Sequence, residues 1–369
     1  MRGLLLLLGC AAIAAAQAPS TPSPSSSMDV REYEPKSSLV SPQHPKTRAK
    51  YPFIDVHNHP RFPMQAEQAR KMLADMDGLN MRIMGSLFVR GGNNERLKSA
   101  IDSAQQLAPG RIFFFASPDY SGLDDPGYAQ KAAAQLEKDV KLGARGLKVW
   151  KDLGLNIKDA KGERIHIDDA RFDPLWAMCG RLKVPVFIHT ADPKQFWEPI
   201  DKNNERWLEL QEMPGRRRDP AKDPSWEQLI TEQHNVFRKH KNTIFIDAHL
   251  GWLGGDLGRL GKLMDECPNV YTEIGAVLAE LGRQPRYARE WFIKHQDRVV
   301  FGKDTWAPTE YYSYFQVLET ADDYFPYYRR RHAFWAMYGL DLPDEVLKKL
   351  YYRNALRIIP GLDATGFPK

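Results

Sequence analysis

Short apolar runs rich in β-branched and aromatic residues recur along the chain, separated by longer segments whose apolar positions repeat at helical spacing. Eight runs read as strands: FIDVHNH (53–59), RIMGSLFV (82–89), RIFFFASP (111–118), RGLKVWK (145–151), VPVFIHT (184–190), TIFIDAHL (243–250), VYTEIG (270–275) and VVFGKDT (299–305). Between them, stretches such as AQKAAAQLEKDVKLG and DPLWAMCGRLK carry a helical rhythm and close near a glycine or a basic residue. Strands alternating with helices predict a parallel sheet, and eight is the number that closes a (β/α)8 TIM barrel. An open doubly wound sheet is the competing arrangement, but no glycine-rich phosphate fingerprint follows the first strand. The expected fold is therefore α/β, a single-domain barrel with its chemistry at the C-terminal ends of the strands.

Those strand ends carry the candidate chemistry. Alternation along the first strand puts Phe53, Asp55, His57 and His59 on one face and Ile54, Val56 and Asn58 on the other. The fifth strand ends in His189, the sixth in His249 and the eighth in Asp304. A lone strand-end histidine is usually a satisfied polar group. Five metal-capable residues at the ends of four strands of one barrel are hard to obtain by chance. Imidazoles with one carboxylate suit a Zn²⁺-type ion that keeps an open position. The remaining histidines (His44, His166, His234, His240, His295 and His332) fall in the linker, loops or helices and receive no role.

The fourth strand brings Lys148 and Lys151 towards the same mouth, to bind an anionic substrate group or to form an ion pair. Trp150, Trp252 and Trp306 follow strands four, six and eight and would wall a substrate pocket. Arg61 and Arg283 could grip a carboxylate bidentately, and Glu273 could support the ligands from behind. The long segment from Ala191 to about Pro224 reads as a lid or a subunit contact.

Composition narrows the classes. The chain has 369 residues, 43% hydrophobic and 11% aromatic, enough for a sizeable core. A net charge of +5 with interspersed signs, and a basic cluster GRRRDPAK without aromatics, argue against nucleic-acid binding. The opening MRGLLLLLGCAAIAAAQAPS has one arginine, a short apolar run and small residues at Ala14 and Ala16, which predicts a secretory signal peptide over 1–16. LLGC also resembles a bacterial lipobox, which would lipidate Cys10, although the run before it is short. Either route predicts export, to the periplasm or outside the cell. No later run approaches the ~20 apolar residues of a spanning helix. Residues 17–50 read as a flexible Pro/Ser-rich spacer and 51–365 as the barrel domain. Cys179 and Cys267 read as core residues rather than a disulfide framework.

The order HxH, His, His, Asp on strands one, five, six and eight resembles the amidohydrolase superfamily. The phrases FIDVHNH, HIDDARFDPLWAMCGRLKVPVFIHTADP, RVVFGKDT and LPDEVLKKLYYRNALRII are similar to its amidohydrolase-2 branch, over about Tyr51 to Pro360. That branch includes metal-dependent hydrolases and decarboxylases resembling aminocarboxymuconate-semialdehyde decarboxylase. The resemblance implies one divalent ion held by His57, His59, His189 and Asp304, with His249 catalytic beside it and Asp304 able to accept a proton. Zinc is the first expectation; manganese is the alternative. Some members bridge two ions with a carboxylated lysine on strand four, which would promote Lys148 or Lys151 and move His189 and His249 onto a second ion. The expected function is hydrolysis of a C–N or C–O bond of a small molecule, with non-oxidative decarboxylation as the alternative and a non-enzymatic binding barrel third. Assembly into a homo-oligomer is left open.

Overall fold

The structure, a computed structural model, describes residues 28–29, 31–92, 94–329, 332 and 335–368. The expected signal peptide, Cys10 and most of residues 17–30 lie outside the described residues. The described residues divide into two units, one ending at Ser38 and one beginning at Leu39. In the first, the described residues are exposed, and Arg31 Nε donates to Asp29 Oδ1 at 3.0 Å. Among the described residues no helix is long and apolar enough to cross a membrane.

The second unit holds eight parallel strands: β1 (Phe53–Asn58), β2 (Met81–Ser86), β3 (Ile112–Phe114), β4 (Leu147–Val149), β5 (Val186–Ile188), β6 (Phe245–Asp247), β7 (Val270–Glu273) and β8 (Val299–Val300). They form two ladders in chain order, β1 to β3 and β4 to β8. Ala116 pairs with Leu147 to join β3 to β4. Val56 N donates to Phe301 O at 2.9 Å and Asp304 N to His57 O at 2.6 Å, joining β8 to β1. The ring is closed, and the second seam lies beside two candidate ligands.

Helices follow the strands: α1 (Ala66–Leu79), α2 (Asn94–Leu107), α3 (Tyr128–Leu142), α4 (Asp173–Leu182), α5 (Trp226–Lys239), α6 (Leu257–Glu266), α7 (Pro285–His295) and α8 (Tyr311–Glu319). Their starts have local causes. The Ser225 hydroxyl accepts from Gln228 N before α5, and the Asp256 carboxylate accepts from Arg259 N before α6. In α5 the buried apolar residues Trp226, Leu229, Ile230, Val236 and Phe237 fall at helical spacing and make its inner face, with Glu232, Gln233 and His234 buried beside them. Gly146, just before β4, permits close strand packing: a Cβ there would stand 2.6 Å from Pro185 O.

Both faces of the strands are buried, which explains their nearly continuous apolar sequence. Phe53 packs against Phe301, Tyr311, Phe315 and Tyr351 with ring centroids 4.9 to 6.1 Å apart. Each such ring is worth about 1.5–3 kcal/mol in burial. Cys179 and Cys267 are free and buried, as core residues.

The structure departs from the sequence reading in three places. The ladders are shorter than the apolar runs: β8 is two residues where 299–305 was expected, because the chain turns at the mouth, with φ of +84° at Asp304 and +59° at His249. Alternation along β1 also fails. A register shift lies between Asp55 and Asn58; both meet the Tyr311 hydroxyl, whereas His57 turns to Glu273. This irregularity turns the side chains of Asp55 and His57 to different partners, while His57 N still donates to Asp55 Oδ1 at 2.9 Å. Third, the end of the expected spacer is pinned to the barrel. His44 N donates to Asp322 Oδ2 at 2.6 Å, Lys50 N to Glu319 Oε1 at 2.9 Å, and Ala49 is buried.

Tyr311 Oη donates to Asp55 Oδ2 at 2.6 Å in a fully buried setting. Burial raises the Asp55 carboxyl to about 6 against this bond and those from Asn58 and His57. Tyr311→Phe leaves that carboxyl short of a donor. We expect a loss of about 1–3 kcal/mol, read as a lower urea midpoint with unchanged slope.

Candidate metal centre

The five residues expected from the strand ends converge at the barrel mouth. His57 Nε2 and His59 Nε2 lie 3.2 and 3.1 Å from Asp304 Oδ1. The His249 ring stands 4.9 Å from that of His57 and 4.5 Å from that of His189. Ligand atoms of His57, His249 and Asp304 all lie within 4.8 Å of one another. The compact triad thus includes His249, which the resemblance placed outside the ligand shell.

Glu273, at the end of β7, holds this arrangement from beneath. Its Oε1 accepts from His57 Nδ1 at 3.0 Å and from His249 N at 2.6 Å, and its Oε2 accepts from Gly275 N. A carboxylate on Nδ1 fixes the His57 tautomer and turns Nε2 towards Asp304 and His59. His249 Nδ1 donates to Gly275 O at 2.7 Å, which leaves its Nε2 lone pair free for the mouth. Gly302 makes room for this packing, since a Cβ there would lie 2.5 Å from Glu273 Oε2 and 2.8 Å from His57 Cβ.

Electrostatics follow burial. Desolvation lowers His59, His189 and His249, the last to about 4, so these imidazoles are neutral at pH 7. Burial pushes Glu273 upward, but His57 and His249 outweigh it and hold the carboxyl at about 2. Asp304 is likewise held well below the ordinary range, chiefly by His57 and His59 against desolvation. Asp247, at the end of β6, is raised to about 8 by burial and by the Glu273 charge, and stays protonated beneath His249.

The backbone here is strained. His249, Leu250, Gly251 and Trp252 all have φ between +54° and +59°. Non-glycine residues in that region cost about 1–3 kcal/mol each and collect at functional sites. The turn stacks Trp252 on His249 with centroids 4.5 Å apart.

The other expected residues divide. Lys148 is fully buried and its Nζ has no hydrogen-bond acceptor among the described residues. It lies 4.3 Å from the Phe187 ring centroid and 5.3 Å from that of Trp150. Cation–π attraction returns about 2 kcal/mol, less than the several kcal/mol that burying an ammonium costs. Burial accordingly lowers the Lys148 ammonium to about 7, against the pull of Asp304 and Glu273. Lys151 instead donates to Asp192 Oδ1 at 2.5 Å. Trp150 lies 5.3 Å from His59. Trp306 packs beside Tyr311, Arg61 is exposed, and Arg283 pairs with Glu205 at 3.0 Å while stacking on Trp335 at 3.8 Å.

Sequence reasoning missed Phe187, Gly302 and Asp192. Phe187 sits inside an apolar run and Gly302 has no side chain, so neither carried a signal. Asp192 stood in the quoted FIHTADP, yet its partners Lys151 and Arg218 lie far along the chain. Through them and the Trp226 Nε1 bond to Asp192 O at 3.0 Å, the segment after β5 is clamped to the barrel.

Two other features lie apart from this centre. His166, Asp168 and Glu232 also gather potential ligand atoms, but Arg164 already occupies both Glu232 oxygens. A cavity of about 370 Å³, lined by Ser117, Asp119, Tyr128, Gln135 and Asp139 among others, contains none of the five mouth residues. Donor chemistry, not cavity size, marks the site.

The donor set fits a divalent ion. The neutral imidazoles of His59, His189 and His249 and the ionised Asp304 offer lone pairs, His57 is raised against desolvation by the Glu273 and Asp304 charges that a cation would share, and His189 Nε2 is buried with no partner among the described residues. Two outcomes follow. Asp304→Asn should lose most bound metal by elemental analysis, with the parent near one equivalent. In Glu273→Gln the amide must set its NH₂ against one of three donors; metal affinity should fall about 10–100-fold in chelator competition, with far-UV circular dichroism unchanged.

A family model described as Amidohydrolase matches residues 54–361. A putative amidohydrolase from Staphylococcus aureus is 16% identical with a TM-score of 0.52, covering 83% of this chain and 99% of its own. A dihydroxybenzoic acid decarboxylase from a Polaromonas species, solved with bound manganese, is 15% identical with a TM-score of 0.51, covering 84% and 96%. A 5-carboxyvanillate decarboxylase from Sphingomonas paucimobilis is 13% identical with a TM-score of 0.51, covering 84% and 99%. These likenesses show the barrel fold. None of the curated proteins matches the chain.

Proposed function

Since this chain belongs to the amidohydrolase family, in its amidohydrolase-2 branch, we propose that it is a metal-dependent carboxy-lyase, releasing CO₂ from a small carboxylate without oxidation. One observation carries the metal dependence: His57 Nε2 and His59 Nε2 converge on Asp304 Oδ1 while Glu273 locks the other nitrogen of His57. In this reading His57, His59, His189 and Asp304 would hold one divalent ion, zinc or manganese, which would supply Lewis acidity to a ligand oxygen. The choice of decarboxylation over hydrolysis draws support from the dihydroxybenzoate and 5-carboxyvanillate decarboxylases among the structural neighbours. The sequence alone had favoured hydrolysis.

The chain's own groups have defined parts. Trp150, Trp252 and Phe187 pack against His59, His249 and His57, and so would flank a flat apolar ligand body held at the imidazole cluster. His249 is a proton carrier at Nε2, its Nδ1–H being committed to Gly275 O. When the C–C bond to the carboxylate breaks, the electron pair stays on the substrate carbon. A proton from solvent, relayed by His249 Nε2, takes the vacated position, and CO₂ leaves. The family description favours a second reading, hydrolysis of an amide or lactone, in which the same Nε2 accepts a proton from water.

The two readings separate in D₂O. Incubating the metal-loaded protein with dihydroxybenzoates and 5-carboxyvanillate should release CO₂ and leave one deuterium at the vacated carbon. Turnover of lactones or amides alone, with a solvent oxygen in the product, would replace decarboxylation with hydrolysis. His249→Asn should lower kcat by about 10²–10⁴ while metal content stays at the parent level; full activity in this variant would remove His249 from the chemistry.

A further inference from the structure

We infer that Lys148 is a ligand-binding residue, its ammonium meeting an anionic oxygen that the bound small molecule brings to the Phe187 side of the site. This rests on the reading of the barrel mouth as a metal-dependent small-molecule centre.

The argument begins with what surrounds Lys148. It stands on β4 with no exposed surface, and its Nζ carries three donors without an acceptor among the described residues. The two carboxylates whose charge reaches Lys148, Glu273 and Asp304, are otherwise engaged, and so are two further acids of this end of the barrel. Glu273 serves His57, His249 and Gly275. Asp304 faces His57 and His59. Asp192 takes Lys151 and Arg218, and Asp152 takes Arg90 at 3.0 Å. The protein supplies Lys151 with a counter-ion and leaves Lys148 without one.

Position makes that omission meaningful. The Phe187 ring that faces Lys148 Nζ also lies 4.7 Å from the ring of His57. Trp150 is shared in the same way between Lys148 and His59. Lys148 therefore stands beside the imidazole cluster, across aromatic faces that would contact a flat ligand. A buried ammonium among rings is poorly solvated, and an anionic oxygen arriving there gains a charge-assisted hydrogen bond that water cannot match. Lys148 thus selects for charge, and the rings select for a planar body.

Calorimetric titration of the metal-loaded full chain with benzoate and with its neutral isostere benzamide tests the inference. Benzoate should bind about tenfold or more tighter, the scale of one charge-assisted hydrogen bond, and Lys148→Met should erase the preference. Equal affinities in the parent would overturn the inference without reference to any variant. A preference that survives in Lys148→Met would overturn it too, since the ion alone would then be reading the carboxylate. So would a CO₂ adduct on Lys148 in native mass spectrometry, which would mark the lysine as carboxylated. The result is separable from the proposed activity. Absence of CO₂ release with the preference intact would reject the lyase and keep Lys148, and the converse would do the reverse.

Discussion

A single buried carboxylate organises this molecule's mouth. Glu273 takes His57 Nδ1, His249 N and Gly275 N on its two oxygens. A carboxylate with no exposed surface is costly unless its lone pairs are filled, and here three donors from β1, the turn after β6 and the turn after β7 fill them. The same bonds fix which nitrogen of His57 faces outward and where the strained turn at His249 begins. Gly302 is glycine because nothing larger fits between Glu273 and His57. The acid sits where the seam between β8 and β1 closes, so ring closure and site geometry share one set of contacts.

Around that anchor the charges are distributed by desolvation. Three imidazoles, those of His59, His189 and His249, are held neutral, two carboxylates, Asp304 and Glu273, are held ionised, and one, Asp247, is held protonated. Neutral nitrogens beside an ionised oxygen are lone-pair donors awaiting a cation. A buried ammonium without an acceptor is a donor awaiting an anion. Lys148 and the imidazole cluster, joined through Phe187, therefore make complementary demands on whatever enters the mouth. The strain between His249 and Trp252 belongs with this pattern: the backbone is bent to bring one imidazole and one indole together.

The sequence determined a good deal unaided. Eight apolar runs alternating with helical segments specified a closed parallel barrel, because strands buried on both faces must read as continuous apolar stretches. The strand-end rule then picked out His57, His59, His189, His249 and Asp304, since polar residues interrupting such runs at one end face the mouth. The tertiary structure decided the rest, for reasons of distance and local irregularity. A register irregularity in β1 gave the Asp55 and His57 side chains different partners, which alternation cannot foresee. Glu273 became the organising acid, and Lys148 rather than Lys151 the unpaired one, because their partners lie on other strands. Arg283 and Lys151 found acids from the segment after β5 and were drawn out of the pocket role that residue type alone suggested. Period and composition fix which residues reach the mouth; only packing fixes which of them remain unsatisfied there, and unsatisfied groups are what a ligand meets.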